Sequence, residues 1–153
     1  MRAAALNQDL TPHTAATPQP AGAILVLYIT GGGAVTPAVL DGTAAPLSPL
    51  SLINGMVAAQ IGGKPAGVVF SGLAPGFAGL AQINVVIPQG LSAGNQPAFV
   101  SINGIPSNAG LVTVKSRAPR GGPYFSGVEA LFHRFGVNGS SPQIHSADSR
   151  AMA

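Results

Sequence analysis

Two side-chain amides, Gln82 and Asn84, are the polar residues whose types and spacing most suggest chemistry. Side chains alternate between the two faces of a β-strand, so residues two positions apart share a face. An amide pair presented in this way could bind a sugar or a peptide backbone. We favour a structural interpretation, in which both amides hydrogen-bond to the loop of residues 73–79. That loop contains Pro75, which cannot donate, and its other backbone groups need partners if they are covered.

The residue types needed for catalysis or metal binding are scarce. The chain has no cysteine, and no serine lies in the G-x-S-x-G motif of a nucleophile elbow. The three histidines, His13, His133 and His145, are far apart in the sequence, and the chain has only four carboxylates: Asp9, Asp41, Glu129 and Asp148. A zinc site would require several of these groups to converge. We therefore predict no enzymatic activity, no metal site and no cofactor.

Two glycine motifs resemble phosphate-binding loops only superficially. The triple glycine of residues 31–33 lacks the third glycine of a dinucleotide-binding motif, because Thr36 stands at that position. The pair Gly63-Lys64 is followed by Pro65 where a phosphate-binding loop has Ser or Thr. We predict a loop with positive φ angles at the first motif and a hairpin turn at the second.

Two further motifs have a functional and a simpler interpretation. Asp9 and the pair Asp41-Gly42 could form a weak calcium site, but turn chemistry explains the same residues. The sequence Asn138-Gly139-Ser140 matches a glycosylation acceptor, which in a bacterial protein indicates a polar turn.

The composition favours many short strands in a single domain. Among 153 residues only 7% are charged, whereas 21 are Gly and 14 are Pro. The net charge of +3 comes from the end of the chain, where most basic residues lie: Lys115, Arg117, Arg120, Arg134 and Arg150. Because the charge is confined to this tail, we do not predict nucleic-acid binding by the core.

The chain carries no predicted membrane span or signal peptide. Its longest apolar run, residues 21–29, is well below the roughly 20 residues that a spanning helix needs, and its Val, Leu, Ile and Tyr content fits a strand covered on both faces. Residues 1–6 are too short for the apolar region of a signal peptide.

Alternation of apolar and polar residues predicts the core. In residues 80–88 one face would carry Ala81, Ile83, Val85 and Ile87. Other predicted strands cover residues 3–7, 22–30, 56–61, 66–71, 97–103 and 111–115. The pair Asn103-Gly104 predicts a type I′ hairpin turn. We predict that residues 44–55 form an irregular connection that folds Leu47, Leu50 and Leu52 onto the domain.

The glycine- and proline-rich centre of the chain resembles a known family. The runs ALNQD (residues 5–9), LYITGGGAVTPAVLDG (27–42) and IGGKPAGVVFSGLAPGFAGLAQINVVIPQGLSAGNQP (61–97) are similar to a C-terminal domain of Solibacter-type acidobacterial proteins, which resembles IPT/TIG immunoglobulin-like modules. The resemblance covers about residues 3–115 and implies an extracellular or cell-envelope β-sandwich without assigned activity. Its motif positions include Gly72, Pro75, Gly76, Gly79, Gln82, Asn84 and Pro88.

The chain departs from this family at three places. Gly32 replaces an apolar residue between two glycines, Ala81 replaces an aromatic residue that often precedes the glutamine, and the segment after Lys115 has no counterpart in the family. The first two changes remove side chains that would fill the core or cover the surface.

Together these observations predict an all-β, immunoglobulin-like (E-set, IPT/TIG type) sandwich of about seven strands in residues 1–116. A basic tail, residues 117–153, is expected to be mostly disordered. Ser126 and Glu129 form a capping box there that could open a short helix over residues 127–135.

The predicted function is a non-catalytic structural or interaction module, the C-terminal domain of a larger exported or cell-surface bacterial protein. Its partners would be other domains of the parent chain or cell-surface proteins. The alternative is a carbohydrate- or protein-binding module that uses the loops at one end of the sandwich. Tyr28, Phe70 and Phe99 lie inside apolar runs, which leaves Phe77 as the aromatic expected to contact a glycan.

Overall fold

The structure, a computed structural model, describes residues 1–116, and in this range it is all-β with no helix. The strands are β1 (Ala5–Asn7), β2 (Gln19–Pro20), β3 (Ile24–Ile29), β4 (Val35–Thr36), β5 (Leu52–Ile53), β6 (Val57–Ile61), β7 (Lys64–Leu73), β8 (Ala81–Val86), β9 (Gly94–Ile102), β10 (Ile105–Pro106) and β11 (Gly110–Lys115). The predictions for the tail lie outside the described residues: the helix at 127–135, His133, His145, Glu129, Asp148 and the 138–140 motif.

The described part holds eleven strands where the sequence predicts about seven. Four of them have only two residues, namely β2, β4, β5 and β10. The seven longer strands correspond to the seven predicted segments, with boundaries that shift by at most three residues. Two-residue strands carry no alternation pattern, so periodicity could not reveal them.

The strands form one sheet that nearly closes on itself, in the order β1-β3-β8-β7-β6-β9-β11-β2. Strand β7 belongs to both halves, since its first residues pair with β6 and its later residues pair with β8. The partner changes between Ala66 and Gly67. A register shift follows between Val68 and Phe70, and such bulges bend a strand.

The N-terminal segment joins the two ends of this sheet. Arg2 bridges to Leu111 of β11, and the backbone N–H of Ala3 donates to the carbonyl of Leu111 at 3.1 Å. The same segment continues into β1, which pairs with β3 at the opposite end of the strand order. The opening between the two ends is therefore narrowed by the first seven residues.

The predicted alternation in β8 is confirmed. Ala81, Ile83, Val85 and Ile87 are all essentially inaccessible to solvent, whereas Gln82 and Asn84 are half-buried. Both faces of β3 are also covered, as its continuous apolar run indicates, because three successive residues, Leu25, Val26 and Leu27, are buried. The core that these strands enclose consists entirely of Ala, Val, Leu and Ile.

The three turn predictions are confirmed. Gly62 and Gly63 have φ angles of 58° and 75° between β6 and β7. Asn103 and Gly104 have φ angles of 51° and 82° between β9 and β10. Positive φ at both central residues is the requirement of a type I′ turn. Gly31 and Gly33 likewise have positive φ angles, so the triple glycine forms a loop.

The prediction for residues 44–55 is wrong in its choice of buried side chains. Leu47 is 81% exposed, and Leu50 and Leu52 are also exposed. The buried positions are Ala45, Ser51 and Ile53, and β5 adds to the sheet between β4 and β7. The backbone geometry of the short strand β5 determines which side chains of this segment face inward. Hydrophobicity alone does not identify these buried positions.

Within residues 1–116 no helix is long and apolar enough to cross a membrane.

Candidate functional site

Gln82 and Asn84 lie on the face of β8 that points away from the core. The strand register places Gln82 between Tyr28 of β3 and Gly72 of β7, and Asn84 between Val26 and Phe70. Residues opposite each other in an antiparallel pair share a face. We call this surface the outer face. Its accessible or half-buried residues are Tyr28, Thr36, Leu52, Phe70, Gln82 and Asn84, and Val26 and Gly72 lie at buried positions among them.

The two amides bond to each other and not to the adjacent loop, contrary to the sequence-based interpretation. Nε2 of Gln82 donates to Oδ1 of Asn84 at 3.0 Å. The loop has other partners: the N–H of Gly76 donates to the carbonyl of Ala45 at 2.8 Å, and the N–H of Ala45 donates to the carbonyl of Phe77 at 3.0 Å. The backbone of the buried residue Ala45 thus pairs with two of the loop's backbone groups, which leaves the amides available at the surface.

Phe70 and Gly72 form a second feature of the outer face. A Cβ atom placed on Gly72 would lie 2.9 Å from Cζ of Phe70 and 2.7 Å from the carbonyl oxygen of Ser51. The ring of Phe70 therefore reaches over Gly72, and only glycine fits beneath it. The half-buried ring covers the space that a side chain at this position would occupy.

The remaining motif positions organise the loop next to this face. Gly76 and Gly79 have φ angles of 83° and 65°, which glycine adopts readily. Pro75 precedes Gly76 in the turn, and Pro88 follows the last buried residue of the β8 row. Of the motif positions, Gly72 thus lies in β7, Pro75, Gly76 and Gly79 lie in the loop that follows, Gln82 and Asn84 lie in β8, and Pro88 follows that strand.

The aromatic residues of the described part all lie outside the core cluster. Phe77 is 57% exposed, which confirms the expected exposure of this residue. Phe99 is 36% exposed and Tyr28 and Phe70 are half-buried, so location within an apolar run did not predict burial for these three. Because successive side chains of a strand point to opposite faces, an aromatic residue inside an apolar run can still face outward.

An open cleft of about 720 Å³ lies between the N-terminal segment and the β9–β10 hairpin. Its lining includes Tyr28, the triple-glycine loop, Phe99 and Ile105. Tyr28 therefore belongs to both the outer face and the cleft.

A buried histidine, which the sequence analysis considered only as a metal ligand, joins strands near the closure of the sheet. His13 is 5% exposed. The backbone N–H of Thr113 in β11 donates to its Nε2 at 2.9 Å, and its Nδ1 lies 2.7 Å from Oδ1 of Asn7 in β1. No local pattern signals this contact, because His13 and Thr113 are separated by 100 residues.

Burial lowers the pKa of His13, and the charge of Arg2 lowers it further. Arg2 is close to the network, since its Nη1 donates to Oγ1 of Thr113 at 3.1 Å. The side chain of Thr113 in turn donates to Oδ1 of Asn95 at 2.9 Å. The imidazole is therefore held in its neutral form within a hydrogen-bonded network that spans β1, β9 and β11.

Two other ionisable side chains, those of Asp9 and Lys64, form hydrogen bonds that stabilise turns. Oδ1 of Asp9 accepts hydrogen bonds from the N–H and the hydroxyl of Thr11, at 3.1 and 2.6 Å, which lowers the pKa of Asp9. Nζ of Lys64 donates to the carbonyls of Gln89 and Gly90. In residues 1–116 no three His, Asp or Glu side chains are grouped as metal ligands.

Comparison of the chain with protein families, curated proteins and solved structures gave no match. The similarity to the acidobacterial C-terminal domain thus stays a prediction based on the motifs quoted above.

Proposed function

We propose that this protein is a non-catalytic, immunoglobulin-like module of a larger exported or cell-surface protein. The support comes from the strand arrangement: β7 changes partner midway, and the N-terminal segment pairs with β11 and then with β3. Strands that change sheets in this manner form the corners of two-layer β-proteins.

The roles of the ionisable groups also favour a module over an enzyme. Asp9 and Lys64 stabilise turns, and His13 is locked in its neutral form between a backbone amide and Asn7. A general base must be able to reach a substrate proton. The buried, doubly bonded imidazole of His13 lacks that access.

Labelling of intact cells that produce the full parent protein would test the location. A membrane-impermeant amine reagent should modify the module before lysis, and modification only after lysis would contradict the proposal. Purified chain should also give no turnover of ester, peptide or glycoside probes. Turnover that survives purification and is lost in His13→Gln would show an enzyme instead.

A second candidate function is ligand binding, and one observation favours it. The described core contains no aromatic ring, and Tyr28, Phe70, Phe77 and Phe99 are all at least partly accessible. Exposed aromatic side chains supply much of the contact energy in binding sites. The loop residue Phe77 was expected to carry such a role, whereas the outer face offers an aromatic ring together with amides.

A further inference from the structure

We propose that the outer face is a binding site for a neutral saccharide, an inference that rests on the second candidate function. The face presents one aromatic ring, two amides and one phenol on three adjacent strands, at Phe70, Gln82, Asn84 and Tyr28. Leu52 and Thr36 extend it across β5 and β4. Five strands spaced about 4.8 Å apart give a face about 19 Å wide.

The ring and the amides are placed side by side. Phe70 lies directly opposite Asn84 on the neighbouring strand, and it reaches over Gly72, which lies opposite Gln82. Directly opposite positions bring Cβ atoms to within about 5 Å. A sugar ring packed against Phe70 would therefore have its hydroxyl groups within reach of both amides.

The amides retain unused hydrogen-bonding capacity. Their mutual bond uses one N–H of Gln82 and one lone pair of Asn84. An amide side chain offers two donors and two acceptor sites. Oε1 of Gln82 and Nδ2 of Asn84 have no other partner among the described residues, and neither is a buried unsatisfied atom, so both reach solvent. Donors and acceptors side by side match hydroxyl groups, which both donate and accept.

The charge of the face determines the class of saccharide. The charged residues of the described part are Arg2, Asp9, Asp41, Lys64 and Lys115. Only Lys64 lies on a strand of the outer face, at the opposite end of β7 from Phe70, and its ammonium group bonds to Gln89 and Gly90. A sulfated or uronic-acid sugar packed against Phe70 would find no counter-charge at the strand positions opposite Gln82 and Asn84, whereas a neutral sugar needs none.

The backbone of the central strands argues against an extended peptide as the ligand. A peptide that adds to a sheet needs an unpaired strand edge. Strand β8 is paired with β3 and β7, and β3 is paired with β1 as well as β8. Recognition at β8 and β3 must therefore come from side chains, and their mixed donors and acceptors favour a polyhydroxylated ligand.

The test uses the full chain and a panel of oligosaccharides. The neutral probes are hexamers of cellulose, xylan and mannan, and the charged probe is polygalacturonate. In NMR spectra, a neutral hexamer should shift the side-chain amide signals of Gln82 and Asn84. The variant Phe70→Leu keeps an apolar side chain over Gly72 but removes the ring, and it should weaken binding about tenfold. The variant Gln82→Ala removes one amide and should weaken binding about fivefold.

Matched controls are Phe77→Leu and Phe99→Leu, which remove exposed rings elsewhere and should leave the affinity unchanged. Thermal unfolding of each variant must show a folded protein. Four outcomes would overturn the inference: no binding of any neutral probe, preference for polygalacturonate, dependence on Phe77 instead of Phe70, or a protein ligand at Phe70. None of these would contradict the non-catalytic module, which is tested by cell labelling and turnover.

Discussion

The backbone N–H of Thr113 donates a hydrogen bond of 2.9 Å to Nε2 of His13, which fixes the protonation state of this imidazole. A nitrogen that accepts cannot carry a proton, so Nδ1 carries it and donates to Oδ1 of Asn7 at 2.7 Å. Because Asn7 belongs to β1 and Thr113 to β11, one neutral ring links strands far apart in the sheet order. Protonation of Nε2 would set two donors against each other.

The free energy of unfolding is predicted to fall as the pH drops below about 6.5, the ordinary pKa of a histidine in an unfolded chain. The folded state lowers the pKa of His13, through burial and the charge of Arg2, so the unfolded chain binds a proton that the folded chain does not. The loss begins at the unfolded pKa and continues to the lower folded pKa, with a slope of at most about 1.4 kcal/mol per pH unit. Urea unfolding between pH 7.5 and 5 measures it.

Three other groups bear on this experiment. Asp9 is exposed and its pKa is lowered from 3.8, so its effect lies below the pH range used. The double variant His133→Gln/His145→Gln removes the other histidines and should keep the slope. His13→Gln should be less stable at pH 7.5 and should lose the slope; an unchanged slope would show that another group is responsible.

Asn7→Ala should destabilise the protein by about 2–3 kcal/mol. Asn7 is 1% exposed, and besides accepting from His13 it donates to Oγ1 of Thr11 and to the carbonyl of Thr17. Truncation leaves the buried Nδ1–H of His13 without an acceptor, and an unmet buried group costs about 1–3 kcal/mol. Chemical denaturation measures the loss, with exposed Asp41→Ala as the control that should stay within about 0.5 kcal/mol.

Gly72→Ala should destabilise the protein by more than about 2 kcal/mol. The new methyl group would meet the carbonyl oxygen of Ser51 at 2.7 Å, and backbone of β5 would have to move. Gly67 in the same strand is the matched control, because its nearest neighbour would lie 4.0 Å away. Equal melting temperatures for Gly72→Ala and Gly67→Ala would mean that β5 does not pack closely against β7.

Ile83→Ala should lower the free energy of unfolding by about 2–5 kcal/mol, because the side chain is fully buried and its truncation leaves a cavity. The same truncation at Ile105, which is 76% exposed, should change the stability by less than about 0.5 kcal/mol. The two variants differ only in the environment of an identical side chain. A small effect at Ile83 measured by urea unfolding would contradict the enclosed aliphatic core.

Local patterns in the sequence predicted what depends on local geometry. The alternation through Ile83 and the Asn103-Gly104 turn follow from φ preferences and side-chain period, and both are found. Contacts between distant segments could not be predicted. The link between His13 and Thr113 depends on how the sheet closes, and the burial of Ser51 in place of Leu50 depends on a two-residue strand.

The outer face likewise combines local features that the sequence predicts with long-range contacts that it does not. Alternation placed Gln82 and Asn84 together, and the structure confirms that they share a face. The neighbours Tyr28 and Phe70 come from other strands, so they required knowledge of the strand order and of the register shift in β7. An apolar run does not by itself indicate burial of these aromatics, because one face of each strand points outward.

Ser51→Ala should stabilise the protein, because the hydroxyl of Ser51 is 1% exposed and has no hydrogen-bond partner among the described residues. A buried, unsatisfied hydroxyl costs about 1–3 kcal/mol, so its removal at constant shape should raise the unfolding free energy by up to about 1 kcal/mol once the lost contacts are counted. The backbone carbonyl of Ser51 keeps its bond from the N–H of Leu73 in either variant. Exposed Ser92→Ala, whose side chain lies on the surface, is the control and should be neutral. If Ser51→Ala lowers the unfolding free energy while Ser92→Ala does not, the hydroxyl of Ser51 has a hydrogen-bond partner, such as a bound water, and the prediction is wrong.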